Sequence, residues 1–131
     1  MDRVFLDANV LFSAAYRSDA GLRRLWRVRD CVLLSSAYAA DEARRNLREQ
    51  RQRSDLDDLL GSVQIVESLP SDSTTVEEAD LPAKDRPILR AAVAAGATHL
   101  ITGDVTHFGR YFGRRIAGVL IQLPADYLAN R

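Results

Sequence analysis

The sequence predicts one α/β domain, residues 1–131, built on a mainly parallel sheet of five strands. Three observations lead there. Short aliphatic runs recur along the chain, each followed by a stretch with helical spacing or helix-capping residues. Two of those runs end in an aspartate, Asp7 and Asp104, where a sheet of this type presents its ligand-binding edge. No internal repeat, heptad array or low-complexity tract divides the 131 residues.

Taken in order, Arg3 to Leu6 forms the first strand and Asn9 to Tyr16 a short helix. Ala20 to Arg29 carries Leu22, Leu25, Trp26 and Val28 near helical spacing, so one face packs on the sheet. Cys31 to Leu34 is the second strand. Ser35 and Ser36 are caps for a long helix running to about Arg53, and a further helix over Leu56 to Leu60 stops at Gly61. Val63 to Val66 is the third strand, and Ser68 to Asp80, polar and interrupted by Pro70, is a loop. Pro87 suits the first turn of a helix that ends at Gly96. Thr98 to Thr102 and Val119 to Gln122 supply the fourth and fifth strands, and Pro124 to Ala129 a closing helical turn.

Composition narrows the classes. A 47% hydrophobic chain of this length buries a core without staples, and its apolar runs fall far short of a membrane span. Met1-Asp2-Arg3 runs directly into a strand with no secretion signal, so a cytoplasmic protein with no membrane association is expected. The single cysteine, Cys31, excludes an internal disulfide and is expected to fill a buried strand position. Net charge is zero but unevenly spread: residues 1–54 hold eleven basic and seven acidic side chains, residues 55–85 one and nine, residues 86–131 six and two. All cations but Lys84 are arginine, whose planar fork suits phosphate or carboxylate.

Four carboxylates carry the chemical signal. In a sheet ordered 3-2-1-4-5 the first and fourth strands are neighbours, and Asp7 and Asp104 then face each other across a crevice. Asp85 stands at the start of the helix leading into the fourth strand, and Glu42 projects from the helix after the second. Each also has a structural role open to it: Asp7, Asp85 and Asp104 as helix or turn caps, Glu42 as solvated surface. Gathered together, each pair about 5 Å apart repels by roughly 3 kcal/mol at an effective dielectric near 20. A hard cation resolves the repulsion, and an all-oxygen site without clustered Cys or His suits Mg²⁺ or Mn²⁺ rather than zinc.

The chain resembles PIN domains, and among them the VapC-type toxin ribonucleases of toxin–antitoxin pairs. The resemblance rests on Phe5-Leu6-Asp7-Ala8-Asn9-Val10-Leu11, Glu42-Ala43-Arg44-Arg45-Asn46-Leu47, Lys84-Asp85-Arg86-Pro87 and Leu100-Ile101-Thr102-Gly103-Asp104, in that order. It implies a three-layer α/β/α fold and a Mg²⁺ or Mn²⁺ site of Asp7, Glu42, Asp85 and Asp104, with Asp41 a rival to Glu42. It further implies endonucleolytic RNA cleavage leaving a 5′-phosphate and a 3′-hydroxyl, with Asn9 orienting Asp7 and Thr102 hydrogen-bonding within the site. The chain departs from the commoner pattern at His107, where many relatives carry another acid.

A polyanionic substrate needs a basic rim, and Arg44, Arg45 and Arg48 beside Glu42, with Arg110, Arg114 and Arg115 beyond Asp104, are candidates to contact RNA. The resemblance also implies a cognate antitoxin laid over apolar surface near the acids, and a homodimer for which Leu11, Phe12, Leu22, Leu25 and Trp26 are candidate contacts, with core packing an equally good account of them. Rival classes fit less well. A receiver module lacks its phosphoacceptor aspartate after strand three, which ends Val66-Glu67-Ser68, and its lysine after strand five. A haloacid-dehalogenase-like phosphatase lacks the second acid in Asp7-Ala8-Asn9. A PIN-fold protein that binds RNA or a partner and cuts little is the remaining alternative.

Overall fold

The computed structural model describes residues 1–66 and 86–131; the predicted loop from Ser68 to Asp80 and the candidate ligand Asp85 lie outside them. Strand β1 (Asp2–Leu6) leads into helix α1 (Ala8–Tyr16), a 3-10 turn (Gly21–Arg27), and β2 (Cys31–Ser36). Helices α2 (Ala37–Asn46) and α3 (Gln50–Leu60) precede β3 (Gln64–Val66). After α4 (Arg86–Ala94) come β4 (His99–Ile101), the one-turn α5 (Val105–Phe108), β5 (Arg115–Ile116), β6 (Val119–Gln122) and α6 (Pro124–Ala129).

Among the described residues the sheet runs β3-β2-β1-β4-β6-β5. The expected order 3-2-1-4-5 is present, with β6 as the anticipated fifth strand. Every pairing is parallel except β5 with β6. Val4, Phe5 and Leu6 are consecutive, so they point to alternate faces of the sheet, and all three are fully buried. Both faces are therefore covered, as in a parallel sheet between helical layers. Helix α1 packs against both α2 and α3, and α4, whose buried residues are Ile88, Leu89, Ala91 and Ala92, packs on β2 and β4. Gly96, at a φ of 68°, closes the α4 segment as expected.

Two local features differ from the sequence reading. The expected long helix to Arg53 breaks at Leu47, whose backbone is extended (φ −89°, ψ 128°) and whose side chain is fully buried. The chain restarts at Glu49, which forms a reciprocal capping box with Gln52, so α3 also absorbs the separate helix expected over Leu56 to Leu60. The additional strand β5 comes from a two-residue hairpin at Ala117-Gly118, with φ values of 51° and 85°. Asn-Gly or Asp-Gly normally announces such a turn, and alanine at positive φ gives no such signal.

Candidate active site

The polar residues gather where β1 and β4 end side by side, Leu6 opposite Ile101. Asp7 follows β1 and caps α1: its Oδ1 accepts from the Ala8 amide at 2.7 Å. Its Oδ2 accepts from the Thr102 hydroxyl at 2.7 Å and from Asn9 Nδ2 at 3.1 Å. Thr102, fully buried just past β4, also accepts from the Asp104 amide at 3.1 Å. Asn9 completes the bridge, its Oδ1 accepting from the Gly103 amide at 2.8 Å. Two strands distant in sequence are thus stitched together by one hydroxyl and one carboxamide, and the Asp7 carboxylate is held in a single orientation.

Asp104 caps α5. Its Oδ1 accepts from the His107 amide at 3.0 Å, and its Oδ2 lies 2.7 Å from His107 Nδ1. The capping roles open to Asp7 and Asp104 in the sequence are both real, and they coexist with a shared hollow. A cavity of about 590 Å³ is lined by Asp7, Asn9, Glu42, Gly103 and Asp104. Asn46, one helical turn beyond Glu42, lines it too; the i, i+4 spacing was the available signal for a residue the sequence reading passed over. Phe12, Leu22 and Pro124 give the same cavity an apolar side. Asp41 faces elsewhere, with the arginines of a second cavity, and pairs with Arg44 at 3.5 Å.

Among the described residues no group of three or more His, Cys, Asp or Glu side chains is placed so that it could hold a metal ion. In donor type the cavity nonetheless suits a hard divalent cation, with carboxylate oxygens and a carboxamide and no thiolate among the residues named. The residues present fit such an ion in chemistry, and as spaced here three of them do not close on it.

The candidate RNA contacts separate. Arg44 bridges α2 to α3 through Asp57 at 2.6 Å, whereas Arg45 is exposed beside the second cavity and Arg48 sits exposed at the break between the helices. Arg110, exposed beyond α5, lies 5.8 Å from the Tyr111 ring, and Arg114 and Arg115 are exposed before the hairpin. Of the candidate dimer contacts, Leu11 and Leu25 follow the core-packing alternative, since both are buried in the core of the chain. Phe12, Leu22 and Trp26 are half-buried, and Trp26 Nε1 donates to the Leu59 carbonyl at 2.9 Å.

The opposite end of the sheet carries a second polar cluster. Asp2 accepts from the Tyr127 hydroxyl at 2.8 Å and from Arg131 Nη1 at 2.7 Å. Burial pushes the Asp2 carboxyl up, but the Tyr127 hydrogen bond and the charges of His99, Arg131 and the amino terminus outweigh it and leave it below its ordinary value. Burial depresses His99, packed edge-on to Tyr127 at 5.0 Å, and raises Tyr127 and Cys31. Cys31 is half-buried rather than buried, with its sulfur 3.7 Å from the Tyr127 hydroxyl.

A covered, mainly parallel sheet with a carboxylate-lined cavity at its carboxyl edge defines an α/β protein whose candidate site lies where β1 and β4 end. The family pattern described as the PIN domain matches residues 3–106, and the chain belongs to the PIN domain family. No curated protein matches the sequence at a significant level. Among solved structures, the chain is similar to one in VapBC2 from Rickettsia felis bound to a DNA fragment from its promoter. That match has a TM-score of 0.70 and 15% identity over 92% of this chain and 98% of that one. It is also similar to a chain of VapBC-1 from nontypeable Haemophilus influenzae (TM-score 0.61, 16% identity, 94% and 98% covered). A third likeness is to Mycobacterium tuberculosis VapC20, a toxin that cleaves the sarcin-ricin loop (TM-score 0.54, 14% identity, 77% and 91% covered). No helix among the described residues is long and apolar enough to cross a membrane.

Proposed function

We propose that this chain is a Mg²⁺- or Mn²⁺-dependent endoribonuclease and the toxin of a toxin–antitoxin pair, acting in the cytoplasm as a homodimer. The observation that carries the reading is the shared cavity: Asp7, Glu42 and Asp104, far apart in sequence, open onto one hollow at the carboxyl edge of the sheet. Asp85 is assigned as the fourth ligand from its sequence context alone. A cognate antitoxin, as in the VapBC complexes of similar fold, would cover the apolar side of that hollow.

When bound, the ion supplies an activated water for attack at phosphorus and offsets charge on the leaving oxygen. The bond from water oxygen to phosphorus forms as the bond to the ribose 3′-oxygen breaks, leaving a 5′-phosphate and a 3′-hydroxyl. Asp7 presents a carboxylate pre-oriented by Thr102 and Asn9. Glu42 contributes a second carboxylate from α2, and Asp104 a third whose direction is set by the His107 amide and ring.

The alternative of an RNA-binding or partner-binding protein with little catalysis draws on one observation: both Asp104 oxygens already have partners on His107. Cleavage of structured and unstructured RNA with and without Mg²⁺ or Mn²⁺ separates the two readings. The nuclease reading expects 5′-phosphate products only with metal, lost in Asp7→Asn and Asp104→Asn. Equal cleavage by wild type and both variants, or none by any of them, rejects it.

A further inference from the structure

Helix α2 has a cavity on each side of it. Glu42 lines the acidic one; the adjacent Asp41 lines a second, of about 450 Å³, with Arg44, Arg45 and Arg53. The second exists because of the break at Leu47. In one continuous helix, Arg45 and Arg53 would stand about 12 Å apart along the axis. The extended Leu47 instead turns α3 back, and Arg53 Nε donates to the Leu47 carbonyl at 2.9 Å, fixing its guanidinium across the break.

The charges within this cavity are unequally committed. Arg44 is engaged by Asp57 at 2.6 Å and Asp41 at 3.5 Å, which occupies the cavity's one acid. Arg45 and the terminal nitrogens of Arg53 make no hydrogen bond or ion pair among the described residues. Two planar cations therefore flank a hollow across α2 from the carboxylates.

We propose that Arg45 and Arg53 form a phosphate subsite that holds the RNA backbone on the far side of α2 from the scissile bond, with Arg44 serving as the clamp between α2 and α3. The proposal rests on the ribonuclease reading for its substrate, though its own evidence is the arginine cavity. Bidentate donors suit a phosphate oxygen pair, and nothing in the pair reads a base, so the contact is independent of sequence.

The test is the salt dependence of binding to a short single-stranded RNA, measured in EDTA so that cleavage does not compete. Arg45→Gln/Arg53→Gln is expected to make the slope of log K against log salt shallower by about 0.7, one phosphate contact. Arg131→Gln, a charge change at the other end of the sheet, leaves the slope unaltered. Restoration of the slope by Arg45→Lys/Arg53→Lys shows that the loss was of charge and not of fold. An unchanged slope in the glutamine double variant, as expected if the cavity serves an acidic protein partner, overturns the subsite. So does an equal fall in Arg131→Gln. Wild-type cleavage with Mg²⁺ is scored separately: RNA bound through these arginines but never cut removes the nuclease reading and leaves the subsite standing.

Discussion

Strand β1 has an aspartate at each end, and the two have opposite fates. Asp2, where the strand begins, is met by the Arg131 guanidinium and the Tyr127 hydroxyl, so its charge is balanced by the closing segment of the chain. Asp7, just past the other end, accepts from the Ala8 amide, the Thr102 hydroxyl and the Asn9 carboxamide. It shares a cavity wall with Glu42 and Asp104. The first arrangement consumes a carboxylate in holding α6 and the carboxyl terminus to the sheet. The second orients a carboxylate beside two others along one cavity, a disposition suited to a cation or a cationic partner. Residue type and strand are the same; what the neighbours supply decides between latch and site.

Substitution costs most at Asp7. Asp7→Asn keeps a side chain able to cap α1 but removes a charge, so RNA cleavage is expected to fall on the order of 10²–10³-fold with the fold intact by circular dichroism. Thr102→Val acts one step removed, releasing Asp7 Oδ2 and the Asp104 amide together. A loss of roughly 10–100-fold in metal affinity is expected, with about 1–2 kcal/mol of stability, both readable by metal titration and urea unfolding. At the other end, Tyr127→Phe should cost about 1–2 kcal/mol in the same unfolding experiment and leave cleavage at the wild-type rate. An effect on cleavage there would dissolve the distinction between the two ends.

The smallest effect is in pH. Burial holds the folded-state pKa of His99 below its ordinary value, so protonation favours the unfolded chain. The contribution is fully present above about 6.5 and is lost as pH falls through the depressed value. Stability is expected to decline across that acidic window in the wild type, and more shallowly in His99→Gln.

The sheet order and the pairing of Asp7 with the β4 end were legible because strand-terminal aspartates and aliphatic runs are local signals that parallel topology brings together. The break at Leu47 was not, because a leucine inside a helix-favouring stretch gives no sign that the core will claim it; the Glu49–Gln52 capping box was the sole local trace. Arg53 escaped the list of candidate RNA contacts for the same reason, since its place beside Arg45 depends on that break. Leu11 and Leu25 show the converse: their spacing marked apolar faces, but the sequence does not say whether such a face meets the sheet or another protein. Asp104 and His107 stand three residues apart, and the short helix that sets the ring against the carboxylate became apparent only with the fold.

The cavity between Asp7, Glu42 and Asp104 is proposed as a cation site. Anomalous diffraction from crystals soaked in Mn²⁺ decides whether an ion sits there. A peak between these three side chains, absent from Asp104→Asn crystals, is the predicted result; full soaking with no peak in the cavity, or a peak that persists without the Asp104 carboxylate, contradicts it.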